Sequence, residues 1–161
     1  MTLTASPSSC ALCRGADGKD REGGEVLVDT AQLRVVLVDE ARYPGFCRVI
    51  WQRHVAEMTD LEPAERSAMM MAVCRVELAL REVMAPHKIN LASLGNQTPH
   101  LHWHVIPRFT DDAHYPSPIW AEAQRESSAA VLAQRIAQIP ALRRAIALQF
   151  SDARLAAGVV G

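Results

Sequence analysis

Pro99-His100-Leu101-His102-Trp103-His104-Val105-Ile106-Pro107-Arg108 is the stretch on which the rest of the chain turns. A β-strand sends successive side chains to opposite faces, so this spacing predicts three imidazoles on one face and Leu101, Trp103 and Val105 on the other. The apolar face can pack while the imidazole face works. Half of the six histidines in the chain lie in this stretch. Imidazole titrates near neutral pH, acts as nucleophile or general acid and base, and binds metals. A same-face row of them points to phosphoryl or acyl chemistry or to a metal centre.

The neighbouring segments read outward from this strand. Lys88-Ile89-Asn90-Leu91-Ala92-Ser93-Leu94 is strand-like, and Gly95-Asn96-Gln97-Thr98-Pro99 is a turn. The two strands form a hairpin whose loop opens beside the imidazoles and offers polar side chains and backbone N–H groups to an anion. Upstream, from about Asp60 to Pro86, Met69, Met70, Val73, Val76, Leu80 and Val83 recur at helical spacing, with capping chemistry from Thr59, Asp60 and Glu62 and Pro63 in the first turn. The methionines read as core filling. Earlier still, Glu25–Asp29 and Leu33–Asp39 suggest a hairpin, and Cys47–Trp51 a third strand after the Pro44-Gly45 turn. Pro7 to Gly24 reads as a loop around the cysteine pair. Downstream, Thr110 to Trp120 is a proline- and aromatic-rich segment suited to covering the site or a subunit interface. The remainder predicts helices over Ala121–Ile139 and Ala141–Gln149, broken at Pro140.

Composition bounds the rest. The chain has 161 residues, 49% of them hydrophobic, enough for one domain with a real core. Its 17 lysines and arginines nearly balance 18 aspartates and glutamates, for a net charge of −1. That leaves no electrostatic footprint for generic nucleic-acid binding and points to a small-molecule ligand. No apolar run approaches the roughly 20 residues that span a bilayer, and Met1–Ser9 lacks the pattern of a secretory signal, so a cytoplasmic location is expected. Cys10, Cys13, Cys47 and Cys74 are then reduced. Cys10-Ala11-Leu12-Cys13 has the spacing of a metal half-site or a relic of one. Cys47 and Cys74 read as buried small hydrophobes, and His87 and His114 as surface or loop residues, with His114 near enough in sequence to be a second candidate for the site.

The run from His100 to Ile106 resembles the signature of the histidine triad (HIT) family. The order of elements is similar too: early hairpin, a strand leading to a histidine (Trp51-Gln52-Arg53-His54), long helix, polar strand, turn and triad strand. The resemblance covers about residues 10–120, with the helical remainder, about 121–161, as an extension of a single HIT-like domain. It implies an α+β fold with a five-stranded antiparallel sheet, a homodimer, and hydrolysis or transfer of nucleoside monophosphates. It implies His102 as the nucleophile that forms a nucleotidyl-histidine intermediate, with His104 and His100 as catalytic partners. Asn96 or Gln97 would bind phosphate, Asn90 would lie near it, and Thr98 stands where the family uses serine. The implied substrates are nucleoside phosphoramidates or dinucleoside polyphosphates. No cofactor is needed for that chemistry, but many bacterial members carry a structural zinc, whose counterparts here are Cys10, Cys13, His54 and His100. If His100 holds zinc it is not also a free catalytic acid. Two other functions are carried beside this one: a zinc-dependent metallohydrolase using the strand histidines as ligands, and a nucleotide-binding protein without turnover.

Overall fold

The computed structural model describes residues 9–14 and 23–151. The polar N-terminus and most of the expected Pro7–Gly24 loop lie outside the described residues. Five strands form one antiparallel sheet: β1 (Glu25–Asp29), β2 (Leu33–Leu37), β3 (Cys47–Trp51), β4 (Lys88–Ala92) and β5 (His102–Arg108), in the order β1-β2-β3-β5-β4. The long helix α1 (Pro63–Met84) lies between β3 and β4 in sequence, and α2 (Ala129–Ala137) and α3 (Ile139–Gln149) follow β5. This is the expected α+β architecture.

One face of the sheet is the hydrophobic face. Val35, Cys47, Val49, Trp51, Leu101 and Val105 pack there against Met69, Val73, Val76 and Leu80 of α1 and Leu142 and Ile146 of α3. Burial pushes the Cys47 thiol up to about 12. Cys74, expected to be buried, is exposed on α1; one position after Val73, it falls off the helix's apolar stripe. Pro63 opens α1, and the Glu65 carboxylate accepts the N–H of Glu62, the N-cap, at 3.0 Å. The helix ends with Ala85 in a left-handed conformation, φ 46°. Gly45, at φ +90°, is the turn glycine that lets β3 enter beneath this helix: a β-carbon there would lie 2.5 Å from the Met84 sulfur.

The C-terminal part departs from expectation. Helix α2 begins only at Ala129; the expected break between the two helices is present but falls at Gln138, and Pro140 sits in the first turn of α3. The stretch before α2 is tied to the preceding loop, where the Arg125 guanidinium donates to the carbonyls of Asp112 and Tyr115 at 2.9 and 2.8 Å.

Candidate active site and metal cluster

The opposite face of the sheet carries the chemistry. Antiparallel pairing sets Arg48 of β3 against His104 of β5, and Ile50 against His102. Alternation along β5 then puts His102, His104, Ile106 and Arg108 on this side and Trp103 and Val105 on the other, where both join the core. His100 precedes β5, and its ring serves a different group of residues.

His102 is held at both ring nitrogens. Its Nδ1 lies 2.6 Å from the carbonyl oxygen of His100. A carbonyl only accepts, so Nδ1 carries the proton and Nε2 keeps its lone pair. That Nε2 lies 3.0 Å from Nε2 of His104, which must therefore be the donor in the uncharged pair. His104 is buried among Phe46, Trp120 and His102, whose ring centroids lie 5.5, 5.1 and 4.7 Å from its own. Burial first, then the charges of His102 and Arg48, hold its pKa down to about 3, so the imidazole is neutral at physiological pH.

These two rings open on a cavity of about 360 Å³ lined also by Arg48, Leu12, Leu94, Trp120 and the turn Gly95–Thr98. Asn96 and Gln97 are thus brought to the histidines as expected, and so is Thr98. Asn90 is not in this wall. Its side-chain oxygen accepts from Arg108 Nη1 at 2.6 Å, and it lines the neighbouring cavity, which Trp120 also borders. His114, expected on the surface, is 3% exposed and hydrogen-bonds the Tyr43 hydroxyl; that pairing turns it inward, away from the His102 cavity. His87 is exposed as expected.

Arg48, Leu12 and Leu94 are wall residues that the sequence did not single out. Arg48 interrupts an otherwise apolar strand, but its value emerges only once strand register sets it opposite His104.

The segment Thr110–Trp120 borders the site, and a buried ionic network holds it. Arg108, 1% exposed, donates to Asp112 at 3.0 Å and to the Ser117 carbonyl at 2.9 Å. Asp112 also accepts the Phe109 N–H at 2.8 Å and faces Arg135 of α2 at 3.4 Å. This anchors the loop that sets Trp120 against His104.

A second group of residues adjoins the first. Cys10 Sγ, Cys13 Sγ, His54 Nδ1 and His100 Nδ1 all lie within 4.8 Å of one another, and the sulfur–nitrogen and nitrogen–nitrogen contacts are 3.3 to 3.4 Å. Tetrahedral zinc with bonds of about 2.0 to 2.3 Å sets its ligand atoms about 3.3 to 3.8 Å apart, so the donor set fits. The protonation pattern fits as well. His100 Nε2–H donates to the Trp51 carbonyl at 2.6 Å, which leaves Nδ1 as a lone pair aimed into the cluster, the arrangement usual for a metal-bound histidine. Burial lowers the His100 pKa, against the opposing effect of that hydrogen bond, and so favours the uncharged ligand form. Arg34, 2% exposed, braces the knuckle by donating to the Leu12 carbonyl at 2.6 Å.

The geometry defines a histidine-pair site on an antiparallel sheet beside a four-donor Cys/His cluster. The chain matches the HIT domain family over residues 21–111 and belongs to it. It is 31% identical over 103 residues to an Ap4A phosphorylase from Mycobacterium tuberculosis, covering 60% of this chain and 52% of the relative. It is 29% identical over 87 residues to an asymmetrical bis(5′-nucleosyl)-tetraphosphatase from Schizosaccharomyces pombe, covering 51% and 48%. The chain thus spans about half the length of these curated relatives. Among solved structures it resembles a histidine triad protein from Bradyrhizobium japonicum, with TM-score 0.63, 34% identity and coverage of 76% of this chain and 90% of that one. A zinc-bound histidine triad family protein from Mycobacterium smegmatis shares the fold, with TM-score 0.60 at 20% identity, covering 89% and 96%.

Proposed function

We propose that this protein is a nucleotide hydrolase or nucleotidyl transferase that attacks an α-phosphate through a covalent nucleotidyl-histidine at His102. The observation that carries this is the setting of His102 in the cavity wall: Nδ1 lies 2.6 Å from the His100 carbonyl, which assigns it the proton and leaves the lone pair on Nε2, the atom that faces His104. The Nε2 lone pair forms the P–N bond as the bond from phosphorus to the leaving group breaks and its electron pair departs with that group. The ring left behind is a phosphorylated imidazolium, stabilised because Nδ1–H still donates to the carbonyl. Water then forms a new P–O bond, the P–N pair returns to Nε2, and one proton of the water is released. His104 Nε2–H, which faces His102 in the resting site, turns to a phosphoryl oxygen when substrate arrives. The turn Gly95–Thr98, with Asn96 and Gln97, supplies further donors. Asn90 acts at one remove, through Arg108. The two curated relatives are named for dinucleoside tetraphosphate chemistry, which supports a dinucleoside polyphosphate or a related nucleoside phosphoramidate as substrate. Replacing His102 with alanine is expected to lower turnover by at least about a thousandfold, as loss of a nucleophile does, with the fold intact by circular dichroism. Wild-type rates in His102→Ala would end this proposal.

We further propose that Cys10, Cys13, His54 and His100 hold a structural zinc, supported by the donor spacing and by the zinc-bound relative of the same fold. Zinc there would tie the N-terminal segment to the end of β3 and the start of β5. Four protein donors make a closed site with no position for substrate, so the metallohydrolase alternative gains no support. His100 then contributes its carbonyl to the reaction and not its ring. Elemental analysis is expected to give one zinc per chain, lost in Cys10→Ser and Cys13→Ser; a metal-free wild type of equal stability would remove the zinc. The family's homodimer is retained as part of the proposal, with Leu91 of the sheet-edge strand β4 39% exposed. Light scattering tests it.

A further inference from the structure

Among the described residues, Arg48 is the one arginine or lysine in the wall of the His102 cavity. It stands opposite His104 across the β3–β5 ladder and diagonal to His102. Directly paired residues have β-carbons about 5 Å apart and diagonal ones about 7 to 8 Å, within reach of so long a side chain. The guanidinium carbon lies 5.7 Å from the centre of the Phe46 ring, and that ring packs in turn on His104 at 5.5 Å. A cation is therefore propped beside the reacting pair on an aromatic support.

The charge state of the pair gives this cation its meaning. His104 is neutral and carries a single ring proton. An amine leaving group has to be protonated as it departs, and a neutral imidazole that gives up its only proton becomes an imidazolate. A polyphosphate leaving group departs as an anion and needs countercharge instead of a proton.

Building on the nucleotidyl-histidine reading above, we infer that Arg48 binds the phosphate chain beyond the attacked α-phosphate and so selects substrates with a polyphosphate leaving group over those that release an uncharged amine. In such a substrate the P–O bond to the next phosphate breaks, its electron pair goes to that oxygen, and the guanidinium takes up the added negative charge.

The test compares wild type, Arg48→Leu and Arg48→Lys on diadenosine tetraphosphate and on an adenosine 5′-phosphoramidate with an alkylamine leaving group. Loss of a charge-assisted hydrogen bond to phosphate predicts a fall of about 10- to 100-fold in kcat/KM for the tetraphosphate in Arg48→Leu. The phosphoramidate is expected to change by less than about threefold, and Arg48→Lys to recover most of the tetraphosphate rate. Equal losses on both substrates, or no loss, would overturn the inference. Calorimetric binding of adenosine 5′-tetraphosphate and of AMP separates it from the catalytic proposal: Arg48→Leu should weaken only the former, and weakening both alike counts against Arg48. If neither substrate is turned over and no nucleotide is trapped on His102, the catalytic proposal fails, and the binding ratio alone then decides the role of Arg48.

Discussion

At the scale of single residues, the two facing imidazoles divide their labour by proton position. His102 keeps a lone pair because the His100 carbonyl occupies its other nitrogen, and His104 stays neutral because it is buried next to His102 and Arg48. The depressed pKa of His104 also has a stability consequence. A histidine that protonates near 6.5 when unfolded and near 3 when folded leaves the unfolded state holding more protons between those values. Its contribution is complete above about pH 6.5 and declines as pH falls toward 3, by up to a few kcal/mol. Urea unfolding of His104→Gln is therefore expected to show a shallower loss of stability than wild type between pH 6 and 4; an unchanged slope would contradict the burial argument. His102 and His104 were legible in the sequence because alternation in a strand is a geometric rule. The sequence leaves His100 open between a catalytic and a metal-binding role, because its ring position depends on where the ladder begins and on Cys10 and Cys13 far away in sequence.

At the scale of elements, each strand and the long helix follow from their own periodicity. Glu25–Asp29 and Cys47–Trp51 form with the expected bounds, and α1 follows its apolar stripe and capping residues. The stretch 121–128 did not, because alanine and glutamine favour a helix locally while Arg125 is committed to carbonyls of the preceding loop. The Arg108–Asp112–Arg135 network was equally hidden: its members are charged residues that sequence alone would leave in solvent, yet Arg108 and Asp112 are each 1% exposed. Removing one partner from a buried ion pair leaves the other uncompensated, at a cost of about 3 to 5 kcal/mol. Asp112→Ala is expected to lose that much stability in chemical denaturation and to release Trp120 from His104, seen as a shift in tryptophan emission. A loss below about 1 kcal/mol would show that the network does not hold the loop.

At the scale of the whole molecule, α3 completes the core laid down by the sheet and α1. Leu142 and Ile146 are fully buried in the same cluster as Val49 and Val76, and Arg143 pairs with Glu25 of β1 at 2.6 Å. We propose accordingly that residues 1–161 fold as one HIT-like unit. Ile146→Ala is expected to cost about 2 to 5 kcal/mol and to lower a single unfolding transition; two separate transitions would instead mark the C-terminal helices as an independent appendage. The same packing that buries this face of the sheet leaves the other to Arg48, His102, His104 and the four-donor cluster, and there the central claim is tested most directly. Wild-type protein, mixed with a dinucleoside polyphosphate and quenched in alkali within the first turnover, is digested and sequenced by mass spectrometry. A nucleoside monophosphate linked to His102, absent in His102→Ala, is the predicted result; turnover with no adduct on any histidine, or an adduct on another residue, would contradict it.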